Sequence, residues 1–402
     1  MGENTKRRRK MKRRTWKTAL SMVLTAALLA GCGGVNNGGT PGTGAGEAKT
    51  EEQKTEGQKS KAQGGGTAAG NDGAADTGLS GQKLVVGTMA KAMGLPLKYA
   101  LDKGYFADKG LEVEIVTFAT GAPINEAMNA GELDVAVSGM ASVYNLATGN
   151  YTYIGDTMIS EEGQSLYIRP DSALASSGEK DGIVGSKETV KGISILGPLS
   201  TSAQYNAIKY VESFGLTSED FTMVSMEYAQ AYQAFITGEG DGIATIPPYS
   251  FQLEAAGYVD AADVATLMGQ PLTDGIYVSN KVLEEKRGDL QVLMDVYYQA
   301  CQELLDDPGM RAEAGMKWYG EEGVTYSDED MENEIKAQTY TTVDKLKSQD
   351  YIFGATMANM GAFFTTQELI EASNLPNIEK SFDTSFVENI IGTTVTTAKI
   401  DL

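Results

Sequence analysis

The stretch GPLSTSAQY, residues 197–205, gathers three hydroxyls at Ser200, Thr201 and Ser202, just after an apolar run at Ile193, Ile195 and Leu196. Tyr205, Ile208 and Val211 follow at helical spacing, which predicts that the hydroxyls crowd the first turn of a helix. A helix N-terminus offers unpaired N–H groups and a partial positive charge. That chemistry suits a carboxylate, sulfonate or phosphate, with Thr201 and Ser202 as added donors. Capping of the helix by Ser202 is the plainer use of the same residues. The 402 residues include no His, which removes the commonest general base, the usual activator of a Ser or Cys nucleophile and the commonest metal ligand. Binding without catalysis is the expected role, with no metal and no cofactor.

An internal repeat supplies the frame for these residues. EAMNAGELDVAVSGM (126–140) aligns with QAFITGEGDGIATIP (233–247) at a constant offset of 107, and Ala127, Gly131, Glu132 and Asp134 match Ala234, Gly238, Glu239 and Asp241. In each copy a helix ends at Gly, where a left-handed cap disfavours a side chain, and a strand begins just after the Asp. The flanking segments repeat too, so each copy reads β-α-β-α-β. Alternating strands and helices predict a mostly parallel sheet with helices on both faces and right-handed crossovers. Ligands on such sheets bind beyond the carboxyl ends of the strands. Two facing lobes would therefore line a cleft with the loops 87–93, 139–143, 197–202 and 247–251.

The amino-terminal region has a different character. Nine basic residues between Lys6 and Lys17 precede the apolar run TALSMVLTAALLA, whose 13 residues are too few to span a bilayer as a helix. Residues 1–31 read as a signal peptide. The run ends in Leu29-Ala30-Gly31-Cys32, which matches the bacterial lipobox, so Cys32 is expected to carry a diacylglyceryl anchor. Residues 32–81 hold almost no large apolar side chain and are expected to form a disordered tether reaching about 40 Å on average. Setting aside 9 basic and 1 acidic residue in the targeting segment leaves 24 basic and 53 acidic, a balance that excludes nucleic acid as a partner. Cys301 shares a helical face with Leu290, Leu293, Met294, Tyr297 and Leu304 and is expected to be core. The acidic stretch SDEDMENE (327–334) lacks the ligand spacing of a calcium loop and reads as a capped helix start.

The body resembles the solute-binding proteins of ABC importers, the nitrate, sulfonate and taurine group that also includes thiamine-precursor binders. The likeness spans about residues 83–320 and rests on KGYFADKGLEV (103–113), the A-x-x-x-G-E-L-D-V-A pattern (127–136), TSAQY (201–205), GLTSEDF (215–221), IPPY (246–249) and GIYVSNKVL (275–283). It implies an α/β fold of the type II periplasmic-binding-protein kind. Residues 82–169 would form the first part of lobe 1, 170–272 lobe 2, and 273–402 the return to lobe 1 with the carboxyl-terminal helices. Hinges are expected near 168–172 and 270–275. Carried over by the resemblance, the ligand-binding residues are Thr88, Met89, Gly139, Met140, Thr201, Ser202, Pro248 and Tyr249.

The chain departs from the family pattern at Gln204, at Ile246 and at Met140-Ala141, which leaves the cleft less charged and richer in thioether. No Arg falls in the predicted loops, so an anion would depend on N–H groups, hydroxyls or Lys91. The implied function is a lipid-anchored, extracytoplasmic, monomeric receptor that delivers a small anionic or zwitterionic molecule to a permease and ATPase. The solute would be a sulfonate, a carboxylate or a pyrimidine precursor. Presentation of the ligand to a membrane sensor is the alternative. A thiamine-pyrimidine synthase would need His and Cys residues that this chain lacks.

Overall fold

The structure is a computed structural model and describes residues 78–400. The expected signal peptide, Cys32 and nearly all of the tether lie outside the described residues. The tether was expected to run to Gly81, but Ser80 already belongs to the folded body, its N–H donating to Asp289 Oδ1 at 2.9 Å.

Two mixed sheets are each flanked by helices. The first copy of the repeat contributes β1 (Leu84–Thr88), α1 (Leu95–Lys103), β2 (Val113–Thr117), α2 (Gly121–Ala130) and β3 (Val135–Ser138). Next come α3 (Ser142–Ala147), the long β4 (Tyr151–Ser160) and β5 (Ser165–Ile168). The second copy supplies β6 (Ser194–Gly197), α4 (Ser202–Glu212), β7 (Thr222–Ser225), α5 (Tyr228–Ile236) and β8 (Gly242–Thr245), followed by α6 (Tyr249–Ala255) and β9 (Val259–Asp263). The chain then forms β10 (Leu272–Ser279), α7 (Arg287–Asp306), α8 (Pro308–Glu321), α9 (Asp328–Ala337), β11 (Gln338–Tyr340) and α10 (Ala355–Thr366). The first sheet has the order β11-β4-β10-β3-β1-β2 and the second β9-β5-β8-β6-β7.

These orders reveal a deeper equivalence than the sequence repeat. In both sheets three parallel strands of one copy are bordered by an antiparallel strand from elsewhere in the chain, β10 beside β3 and β5 beside β8. The offset of 107 runs unbroken from α2 into β3 and from α5 into β8. The matched Asp residues explain why the motif repeats. Asp134 N–H donates to Val85 O while its Oδ2 accepts from Val85 N–H, both at 2.9 Å. Asp241 makes the same pair of bonds with Ser194, both at 2.8 Å. Each carboxylate thus fastens the strand after the turn to the start of the central strand. Gly131 takes the expected left-handed conformation (φ 74°) at the cap of α2.

The strand pairing moves the first crossing between lobes. Residues Ser165–Ile168, expected within the first lobe, pair with Gly242–Thr245 of the second sheet, because SLYI is an apolar strand that fits between β8 and β9. The crossing segments are therefore 161–164, earlier than the expected 168–172, and 269–271. Near the carboxyl end, α10 spans the two lobes. Phe364 stacks on Tyr144 of α3 with centroids 5.2 Å apart, and Phe363 meets Tyr205 of α4 edge-on at 4.7 Å. Tyr205, Tyr167 and Cys301 are buried core residues, and burial holds the Cys301 thiol well above its ordinary range. Ser327 caps α9 in a reciprocal box with Asp330, as its sequence suggested.

Candidate functional site

Every loop at the carboxyl end of the six repeat strands reaches one cavity. Its lining takes Met89 and Met93 after β1, Gly121 after β2, and Gly139, Met140 and Ala141 after β3. The second copy gives Thr201 and Ser202 after β6, Tyr228 after β7 and Ile246 after β8. Gln164, within the first crossing segment, and Leu272 and Asp274, just after the second, complete it. Gly121 and Tyr228 occupy equivalent positions in the repeat, as do Gly139 and Ile246. The cavity measures about 50 Å³, where a single water needs roughly 10–15 Å³, so it suits a compact organic molecule.

Five of the eight residues expected to bind ligand line this cavity: Met89, Gly139, Met140, Thr201 and Ser202. Thr88 does not. It is fully buried in β1 and its hydroxyl donates to Val137 O at 3.0 Å, tying two parallel strands together. Pro248, which follows a cis peptide bond from Pro247, is not part of the lining either. Tyr249 belongs to a second cavity of about 280 Å³ with Lys91, Phe118, Glu227 and Tyr228. Lys91, suggested as an anion partner, is directed there as well, donating to Pro247 O at 2.7 Å and lying 5.5 Å from the Tyr249 ring centre. Burial pulls its amine down to about 8, against the opposing pull of Glu334.

The hydroxyl cluster divides its labour. Thr201, not Ser202, is the N-cap of α4. Its Oγ1 accepts from Ala203 N–H at 3.2 Å and donates to Pro198 O at 2.9 Å, so its capacity is largely spent within the turn. Ser200 adopts a left-handed conformation (φ 57°), and its N–H is received by Gln204 Oε1 at 2.8 Å. Ser202 opens the helix on the cavity, and the Thr201 and Ser202 side chains both lie beside the Tyr228 hydroxyl. Burial raises the Tyr228 phenol to about 12, so it stays a donor.

Asp274 and Tyr228 were not singled out from the sequence. Tyr228 was legible, since the offset of 107 places it opposite Gly121 at the head of the equivalent helix. Asp274 offered only one sign, an acid inside the apolar run LTDGIYVS. In the fold it is buried, its Oδ2 has no hydrogen-bond partner among the described residues, and burial alone lifts its carboxyl to about 7. A side chain on Gly139 would place its Cβ 2.7 Å from Asp274 Oδ1, so glycine there keeps that oxygen uncovered. Three thioethers, Ile246 and Leu272 make the remaining wall mainly apolar. Among the described residues, no cluster of His, Cys, Asp and Glu is arranged to hold a metal ion.

Two lobes that share two crossings and meet over one cavity define a protein with the periplasmic-binding-protein fold. Residues 79–316 match the NMT1-like family, and the chain belongs to that family. It is 30% identical over 308 residues to a Brachyspira hyodysenteriae protein named "Putative ABC transporter periplasmic binding protein", covering 76% of this chain and 88% of that one. Among solved structures, the alkanesulfonate-binding protein SsuA from Xanthomonas axonopodis pv. citri bound to MOPS matches with a TM-score of 0.58 at 18% identity, covering 75% of this chain and 98% of that one. The periplasmic nitrate-binding protein NrtA from Synechocystis PCC 6803 matches with a TM-score of 0.61 at 12% identity, covering 77% and 89%. At these identities the two structures speak for the fold.

Proposed function

We propose that the protein is an extracytoplasmic solute receptor that encloses a small organic molecule between its lobes and hands it to an ABC importer. The observation that carries this reading is the shared cavity. Equivalent loops of both repeat copies line it, and residues at or beside the two crossings close it. Opening the lobes about 161–164 and 269–271 would expose the lining, and closure would remove the solute from water. The name of the Brachyspira relative supports an importer as the destination.

The solute is taken to be anionic or zwitterionic, as the resemblance implies, with Ser202 and the start of α4 receiving its acidic end. A lipid at Cys32 would hold the receptor at the membrane, and the protein would act as a monomer. Native mass spectrometry of the purified full chain tests the central claim. A retained small molecule, released by denaturation and bound again one to one, is the expected result. Deleting the gene should then abolish import of that compound, whereas intact import would refute delivery. Radiolabelled fatty acid should mark the wild-type protein and not Cys32→Ala.

A further inference from the structure

Asp274 is an expensive residue for a fold to keep. A buried carboxylate without hydrogen bonds loses its hydration and gains nothing in return, and such groups are retained where a ligand supplies the missing partner. Nothing structural depends on this one. Its Oδ2 has no partner among the described residues, and no neighbouring donor or cation offsets its burial. The contrast with the other buried acid of the first sheet is direct. Asp156 receives Tyr153 and Tyr351 hydroxyls, both at 2.6 Å, and the Gly354 N–H at 3.2 Å. Asp274 lines the cavity instead, next to Gly139, where any side chain would crowd Oδ1.

We propose that Asp274 is a specificity-determining ligand contact and that the solute carries an amino or amidine-type nitrogen whose N–H groups bind its carboxylate. This deepens the solute-receptor reading and rests on it. Of the solute classes considered, it selects amino-bearing zwitterions and aminopyrimidines and sets aside simple anions. The rest of the lining fits such a molecule. The Tyr228 ring and the thioethers of Met89, Met93 and Met140 offer polarisable surface to a cationic or heteroaromatic body. Ser202 and Tyr228 offer hydroxyls to a second polar group. The titratable groups that the Asp274 charge acts on are the phenols of Tyr228 and Tyr153, both held protonated by burial. A cation bound at the carboxylate would therefore draw a proton from Asp274 itself.

The test compares matched pairs by calorimetry on the full chain: β-alanine with 3-hydroxypropionate, 4-aminopyrimidine with 4-methoxypyrimidine as an O-methylated hydroxyl analogue that bears no N–H, and propylamine with propanol. In at least one pair the amino member should bind tenfold or more tightly than its hydroxyl analogue, the range expected for a charge-assisted hydrogen bond. In Asp274→Asn, which keeps the shape, that preference should collapse. Amine binding near pH 7 should also release protons in the wild type and not in the variant. A preference for the hydroxyl members, or an amino preference that survives in Asp274→Asn, overturns the inference while leaving the receptor reading intact. So does a co-purified compound without an N–H-bearing nitrogen. No retained compound, together with no binding by any member of the three pairs, would overturn both.

Discussion

Replacing Asp274 by Asn should make the ligand-free protein more stable at neutral and alkaline pH. The carboxyl is fully buried, and burial alone moves it from 3.8 to about 7. A shift of about 3 units corresponds to roughly 4 kcal/mol of coupling between folding and protonation. Because the folded state holds this proton more tightly than the unfolded chain, the contribution is fully present below about pH 4. It is lost as the pH rises towards about 7 and is flat above. Between pH 5 and pH 8 the wild type should therefore forfeit about 3 kcal/mol that the uncharged Asn does not. Urea unfolding of both proteins at these two pH values measures the difference. Asp156 and Asp260, whose carboxyls are also raised by burial, are present in both proteins and cancel. Equal pH dependence in the two proteins would refute the claim that Asp274 is buried without a partner.

Other substitutions separate binding from folding. Ser202→Ala should weaken ligand binding several-fold with an unchanged melting temperature, since its side chain faces the cavity and Thr201 provides the cap. Thr201→Ala should instead cost about 1 kcal/mol of stability, read by thermal or urea unfolding, because it removes the cap of α4. Gly139→Ala should abolish binding in titration calorimetry while the protein still folds, since the added Cβ would lie 2.7 Å from Asp274 Oδ1. Lys286→Met should cost about 1–2 kcal/mol in urea unfolding, because it removes the ammonium 3.0 Å from the partly buried Asp134 Oδ2, which keeps its bond from Val85 N–H.

What the sequence determined by itself is local. The glycine stop, the tight turn and the Asp that follows are fixed by a few neighbouring residues. They repeat at 107, so the two β-α-β-α-β units and the loops beyond their strands were legible. The hydroxyls at the head of α4 were legible too, for a helix announces its first turn through capping residues. The crossing strands were not. SLYI and LTDGIYVS are short apolar runs whose neighbours lie far away in the chain, and only sheet register decides which lobe each joins. Register placed SLYI in the second sheet and set Gly275 opposite Ser138, which brings Asp274 beside Gly139. Packing likewise turned Lys91 and Tyr249 away into a neighbouring cavity and spent the Thr88 hydroxyl between strands. An acid becomes a binding group through what surrounds it, and those surroundings are assembled by contacts that no local pattern encodes.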